Sequence, residues 1–317
     1  MSKVLVTGAN GFIGRHVVRA LAAQSCDVTA TVLPGEVVDH SLPARMIEAD
    51  ITDQNELVRS LDGVEFLVHL AARAGGIQFQ ESGSSSVFSD NRLMTDNILE
   101  GAARAGVRRV YLASSAVVYR PGPPRPLLET DPVVQPWEHP SPYAWSKVTD
   151  EVVGGWWQDS GRFDVVVGRF SNVYGPGAPF DPDRSTVIHA LVRRAAETPA
   201  GAELLVWGDG SAIRSFVYVE DVAAAVAKIL FEGEGGLVYN VDNGIEVSVK
   251  TLATAVRDAV DPSLDLRFDP SKPTGLAYRV TDPARLKELG APMATTLSEG
   301  INRTVDDYRA RFEDSPA

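Results

Sequence analysis

Short apolar runs rich in β-branched residues alternate with stretches of helical spacing through the first half of this chain, and that alternation constrains its fold more than any other feature. "KVLVT" (3–7) leads into "FIGRHVVRALAAQ" (12–24), where Ile13, Val17, Val18 and Leu21 share one face. "DVTATVL" (27–33) reads as a second strand. "EADITD" (48–53) follows, with the third strand ending before Asp50, and a helix covers about 55–61. "EFLVHLA" (65–71), "RVYLASS" (109–115) and "FDVVVGRF" (163–170) read as further strands, and "NRLMTDNILEGAARAG" (91–106) as a helix stopped by Gly106. A strand apolar on both sides must be covered on both sides. The chain is therefore expected to form an α/β fold, a doubly wound parallel sheet between helical layers.

Two segments break the rhythm, the Gly- and Ser-rich 73–89 and the proline-rich 120–142. Each follows the C-terminal end of an expected strand, where ligands sit in open α/β sheets. Beyond about residue 172 the pattern loosens into a smaller α/β region, with a helix at 186–197. "SFVYVEDVAAAVAKIL" (215–230) reads as a strand and helix returning to the first sheet. The expected organisation is a nucleotide-binding domain over 1–171, rejoined by 215–243, and a substrate-binding region over 172–214 and 244–317.

"TGANGFIG" places Gly8, Gly11 and Gly14 directly after a strand and at the start of a helix. Glycines permit the tight turn and a close approach of backbone to a pyrophosphate, and the helix start offers free N–H groups. In this context the turn, Gly8, Asn10, Gly11, Phe12, Ile13 and Gly14, reads as a dinucleotide site in a Rossmann-type sheet. The second strand ends in "TATVLPGE", with Glu36 a few residues late for a ribose-binding acid. No arginine stands there for a 2′-phosphate, and Arg15 is the nearest candidate. NAD and NADP both stay open, with a slight lean to NAD. Asp50 either flanks the adenine together with Ile51 or caps its own strand end.

In "SPYAWSK" (141–147), Tyr143 and Lys147 stand four apart and share a helical face. With the glycine turn, "HLAA" (69–72), "SSAVVY" (114–119), "RFSNVYGPG" (169–177), "VWGDGSAIRSFVYVEDVA" (206–223) and "DPARLKELG" (282–290), the chain resembles the extended short-chain dehydrogenase/reductases. Within these it is similar to the nucleotide-sugar epimerase, dehydratase and reductase family, along nearly its whole length. The resemblance implies that Ser115 holds the reacting sugar oxygen and that Tyr143 exchanges its proton. Lys147 binds the nicotinamide ribose and favours the phenolate. It adds Leu70, Ala71 and Ala72 to the cofactor site and Gly76, Asn172, Val187, Trp207, Arg214 and Arg279 to the substrate site. A free phenol titrates near ~10 and is a poor base at neutral pH, so a neighbouring ammonium is what such chemistry requires.

Some residues carry two readings. Asn91 matches a family asparagine that orders a water near the lysine, and also suits a helix N-cap. Arg214 suits a diphosphate, or a surface pair with Glu220 or Asp221. Trp207 either stacks on a nucleobase or fills core. Trp156 and Trp157 are read as packing, though Trp156, with Val152 and Val153, also suits the extension of a dimer face.

Relatives that dehydrate a 4,6-diol carry an Asp–Glu pair where this chain has Ala116 and Val117, which argues against dehydration. "AARAGGI" (71–77) and "FDPDRSTVIHALVRR" (180–194) are most similar to GDP-fucose synthase. The cysteine and histidine of that enzyme's second acid/base pair align with Val117 and Thr186, and His189 lies nearly one helical turn on. What remains is chemistry at one carbon. The expected activity is reversible hydride transfer at C4 of a nucleotide-linked hexose, as a 4-epimerase. The alternative is a 4-ketoreductase of a 4-keto-6-deoxyhexose. Reduction of a carbonyl without a nucleotide, or cofactor binding without catalysis, fits less of the pattern.

The net charge of −12, with no basic stripe, argues against nucleic acid. The single cysteine, Cys26, allows no internal disulfide and fits a reducing cytoplasm. No apolar run approaches the ~18–20 residues of a membrane span, and the chain starts directly in a strand pattern without a leader. A cytoplasmic homodimer is expected, paired through helices such as 91–106 and 143–160.

Overall fold

The computed structural model describes residues 1–74, 84–138, 140–182, 184–272 and 275–312. Six strands carry the first half: Lys3–Thr7 (β1), Asp27–Val32 (β2), Arg45–Glu48 (β3), Phe66–His69 (β4), Arg109–Ser115 (β5) and Asp164–Phe170 (β6). With Val238–Val241 they form one seven-stranded sheet in the order 238–241, β6, β5, β4, β1, β2, β3, every pair parallel. The strand order reverses between β1 and β4, so the crevice of this Rossmann-type sheet opens at their C-terminal ends. The central strands are buried on both faces, as their apolar runs require.

The third strand lies at 45–48, just before the 48–53 segment, where Asp50–Asp53 is a turn instead. It is a short edge strand with half-exposed side chains, so it carries little apolar signal. Helix Phe12–Ala23 (α1) buries Val17, Val18 and Leu21 at helical spacing. A short helix, Gln54–Ser60 (α2), starts on the Asp53 side chain, which accepts from the Asn55 N–H. The next helix, Ser85–Ala105 (α3), begins six residues before the expected start and ends on Gly106 at φ 72°. Its first turn holds serines, and only Val87 continues the buried face backwards. Helix Pro142–Asp159 (α4) begins with Ser141 capping the Ala144 N–H.

Residues 216–218 do not join the main sheet. They pair in parallel with 172–174, while the following helix Val219–Glu232 packs into the core against α1. The strand that returns to the sheet is Val238–Val241, beside β6. A separate apolar cluster unites Ile188, Leu191, Leu204, Leu252, Val256, Ile301 and Val305 from the chain beyond residue 172. Among the described residues no helix is long and apolar enough to cross a membrane.

Two glycines fix the turn after β1. Gly8 sits at φ 67°, and a Cβ there would stand 2.8 Å from the Ala71 nitrogen. A Cβ on Gly14 would stand 2.1 Å from the Gly8 carbonyl oxygen, which is backbone and has no side chain to move away. Gly14→Ala is expected to lower the urea unfolding midpoint, by an overpacking cost of about 1–3 kcal/mol. Gly155→Ala serves as the contrast. That helical glycine faces open space, and alanine there is expected to stabilise by up to ~1 kcal/mol. Equal midpoints for the two variants would contradict the packing described.

Candidate active site

The start of α1 follows from the glycine turn. Gly11 is its N-cap, no side chain caps it, and its first turn holds no acid. The opening N–H groups of Phe12, Ile13 and Gly14 therefore face the crevice as an anion site, which suits a pyrophosphate. This cradle fits a dinucleotide, and the missing side chains of Gly8 and Gly14 let α1 start this close over the ends of β1 and β4. Asn10 holds the loop after β2, donating to the Val37 carbonyl at 2.9 Å, and Arg15 donates to the Asn10 carbonyl. Leu70, Ala71 and Ala72 line the end of β4, half-buried, with Leu70 and Ala71 directly against Gly8. Asp50 accepts from the N–H and hydroxyl of Thr52, which is turn chemistry at its strand end. Ile51 is buried among Leu5, Leu57 and Leu61.

Beneath this turn runs a buried polar chain. The Ala71 N–H donates to Thr7 Oγ1, which meets His69 Nδ1 at 2.8 Å, while His69 Nε2 meets Thr95 Oγ1 at 3.3 Å. Burial, with the charge of Lys147 added, pulls His69 down to about 3, so the ring is neutral.

Ser115 ends β5, and its Oγ accepts from the Val117 N–H at 3.4 Å. Tyr143 sits in the first turn of α4, half-buried, with Lys147 one turn on and only 4% exposed. Several contacts fix this helix. Glu151 accepts from Ser114 at 2.5 Å, one residue before Ser115, and forms a two-pronged pair with Arg169 of β6 at 2.9 and 2.6 Å. Ser146 donates to the Tyr143 carbonyl and receives from Asn91 Nδ2.

Asn91 is not a helix cap. It lies inside α3, 1% exposed, and its amide brackets the backbone of Arg73, accepting from the N–H at 2.7 Å and donating to the carbonyl at 3.2 Å. It thus joins the segment after β4 to α4. Lys147 Nζ lies 3.3 Å from Asp150 Oδ2, and Asp150 Oδ1 accepts from Arg92 at 2.7 Å. The sequence reading singled out neither Arg92 nor Asp150. The available signal was the i, i+3 spacing of Lys147 and Asp150, which puts both on one helical face.

Beyond residue 172, Arg214 and Arg279 are register partners on paired short strands. Burial lowers both, Arg279 to about 10 with Arg214 adding to the effect. Arg214 donates to the carbonyls of Ile213 and Leu276. Glu220 instead pairs with Arg303, and Asp221 accepts from Thr295. Asn172 donates to the Ser215 carbonyl at 2.8 Å, next to Arg214 in sequence. Two crowded guanidiniums with a nearby amide suit an anionic ligand. Val187 opens the helix Val187–Glu197, half-buried. Trp207 is 37% exposed, with Arg194 over its ring at 5.7 Å, so it is not a core residue. Gly76 lies outside the described residues.

His189 is fully buried. Its Nδ1 meets Thr186 Oγ1, its Nε2 meets the Gly175 carbonyl, and Phe12 and Phe180 pack edge-on against it. Burial lowers it to about 4. It is a neutral packing residue with both nitrogens engaged, which leaves it no role as the second acid/base. Trp157 stacks on Phe163, but Trp156, read as packing, is 66% exposed.

The model of the NAD-dependent epimerase/dehydratase family matches residues 4–242. A dTDP-4-dehydro-6-deoxy-D-allose reductase from a Streptomyces species is 31% identical, covering 96% of each chain. A putative GDP-L-fucose synthase of Arabidopsis thaliana is 29% identical over 97% of this chain and 92% of its own length. Among solved structures, the UDP-glucose 4-epimerase of Thermotoga maritima with UDP-glucose superposes with a TM-score of 0.87 at 26% identity. That match covers 98% of this chain and 100% of the other.

Two of the three buried histidines, His69 and His189, set an acid limit on stability, and burial lowers His16 in the same direction. Each has a folded pKa below its unfolded value, so the unfolded state binds the extra proton as pH falls below about 6.5. Their stabilisation is complete above that pH and is lost toward about 4 and 3, at about 1.4 kcal/mol per pH unit for each. His189→Gln and His69→Asn are each expected to flatten the fall of the urea midpoint between about pH 6.5 and 4.5. An unchanged slope in both variants would contradict neutral buried rings.

Proposed function

The chain belongs to the NAD-dependent epimerase/dehydratase family, and on that premise we propose that it interconverts C4 epimers of a nucleotide-linked hexose. One observation carries this reading. Tyr143 and the buried Lys147 lie one turn apart on a helix tied by Glu151 to Ser114, beside Ser115 at the end of β5. Ser115 holds the C4 oxygen, and Tyr143 takes its proton as phenolate and later returns it. Lys147 binds the ribose of the cofactor and stabilises the phenolate through its charge. The Gly8–Gly14 turn, Leu70–Ala72 and, at the adenine end, Asp50 and Ile51 would hold a nicotinamide cofactor, which when bound would supply reversible hydride transfer at C4. Arg214, Arg279 and Asn172 hold the diphosphate, and Trp207 offers a partly exposed ring for the base. Val187 completes the sugar side. Asn91 fixes the segment after β4 against α4, so the cofactor-side backbone and the tyrosine keep their relative position.

Val117 and Thr186 supply no second acid/base pair, and His189 is sealed in the core, which confines the chemistry to C4. NAD is the favoured cofactor. The end of β2, "TATVLPGE", carries no arginine for a 2′-phosphate, while Arg15 donates to the Asn10 carbonyl and Arg19 lies 3.7 Å from Asp39 of the loop after β2. A homodimer through α3 and α4 is supported by Leu93, Val152 and Trp156, which stand 47%, 47% and 66% exposed on these helices.

The 31% identity to a 4-keto sugar reductase favours a second reading, a single reduction of a 4-keto sugar. Incubation with UDP-, GDP- and dTDP-hexoses, without added cofactor, separates the two. Epimerisation detected by NMR, with NAD retained in gentle mass spectrometry, supports the first reading. Activity that appears only with stoichiometric NADH or NADPH supports the second. Tyr143→Phe is expected to lower kcat about 10²–10⁴-fold while leaving cofactor binding in place. Undiminished turnover in that variant would sink both readings.

A further inference from the structure

Lys147 is almost as buried as the core around it, yet its role requires a charged ammonium. Its side chain is 5% exposed and that of Asp150 is 4% exposed. A lone ammonium in such a place is strongly disfavoured, and it tends to lose its proton rather than stay charged. Asp150 supplies the counter-charge at 3.3 Å and offers its other oxygen to Arg92 at 2.7 Å. The Arg92 side chain is only 13% exposed, and Arg92 also pairs with Asp96 one turn along α3. One buried carboxylate is thus shared by two cations from two helices.

The other charged or titratable groups facing this helix are engaged. His69, on β4, is neutral and feels the lysine charge. Glu151 of α4 is held by Arg169 of β6. Asp90 of α3 pairs with Arg73, and Arg109 of β5 pairs with Asp164 at the opposite end of the sheet. Tyr143 is the remaining group, one turn before the lysine.

We propose that Asp150 is a positioning residue that keeps Lys147 charged and in place, and that Arg92 tunes it by drawing off part of the same carboxylate. The proposal rests on the reading of Lys147 as the ribose-binding cation. Arg92 holds Asp150 in the geometry that reaches Lys147, but it also sets a second positive charge nearby. Removing Asp150 leaves the two cations facing each other, which lowers the alkaline limit of cofactor binding. Removing Arg92 gives the carboxylate wholly to Lys147, which raises that limit. Removing both cancels most of the change. A residue that merely packed the helix would impose no such order.

The test is NADH binding, followed by fluorescence titration across the alkaline range, in the intact protein. Asp150→Asn is expected to move the pH at which affinity falls downward, the direction for an opposite charge lost at this distance. Arg92→Met is expected to move it upward, and the double variant to fall between the two singles. The proposal is overturned if Asp150→Asn keeps the wild-type midpoint, or if the double variant lies outside the singles. Should Asp150→Asn fail to fold, Arg92→Met decides, because an unchanged or lowered midpoint there overturns the proposal equally. The underlying reading fails separately. In that case Lys147→Met would bind NADH as tightly as wild type.

Discussion

At Gly8 the chain leaves β1 with φ 67° and passes so close to the end of β4 that a Cβ would stand 2.8 Å from the Ala71 nitrogen. The first helix can then start directly over the point where the strand order reverses, with its uncapped N–H groups aimed into the crevice. Gly14 keeps α1 against the same turn. Thr7, just before Gly8, binds both the Ala71 N–H and His69, so the turn is fixed from beneath by hydrogen bonds as well as from above by contact. The rest of the site is placed relative to this junction. The backbone of Arg73, two residues past Ala71, is bracketed by Asn91, and Asn91 in turn holds Ser146 beside the carbonyl of Tyr143.

The second support of the site is polar and buried. Glu151 and Arg169 form a two-pronged ion pair between α4 and β6, and Arg169 also lies over the Tyr119 ring at 4.6 Å. Tyr119 donates to Asn240, whose amide reaches the carbonyls of Leu127 and Asp282. Such a network is costly to leave half-satisfied, and when complete it specifies one arrangement of its elements. Here it joins α4, two sheet strands and the proline-rich segment after β5. That segment is therefore tied to the sheet and helix rather than hung from them.

The main sheet was readable in the sequence because its strands are buried on both faces. The glycine turn was readable because few residues other than glycine tolerate its contacts. What escaped the sequence was short, polar or distant. The edge strand Arg45–Glu48 is half-exposed and shows no clear period. Strands of two or three residues, at 172–174, 213–214 and 278–279, are too short to carry one. The start of α3 was hidden because its first turn is serine-rich, and Asn91 was therefore open to reading as a cap. Spacing could not separate a reactive histidine from a packed one at His189, since both readings need the same helix; burial and the two engaged nitrogens decide it. The charge shared by Arg92, Asp150 and Lys147 joins two helices, with Arg92 and Asp150 58 residues apart in sequence, and no local pattern records it.

The paired arginines at 214 and 279 stand in a chain whose net charge is −12. For a ligand carrying a diphosphate, the long-range field opposes approach while the last few ångströms favour it. Salt acts differently on the two. At ~0.1 M the screening length is about 10 Å, enough to mute the repulsion of the distant surface but less able to mute a half-buried contact. Capture would then quicken as ionic strength rises from very low values, the reverse of an enzyme that steers its anionic substrate from afar.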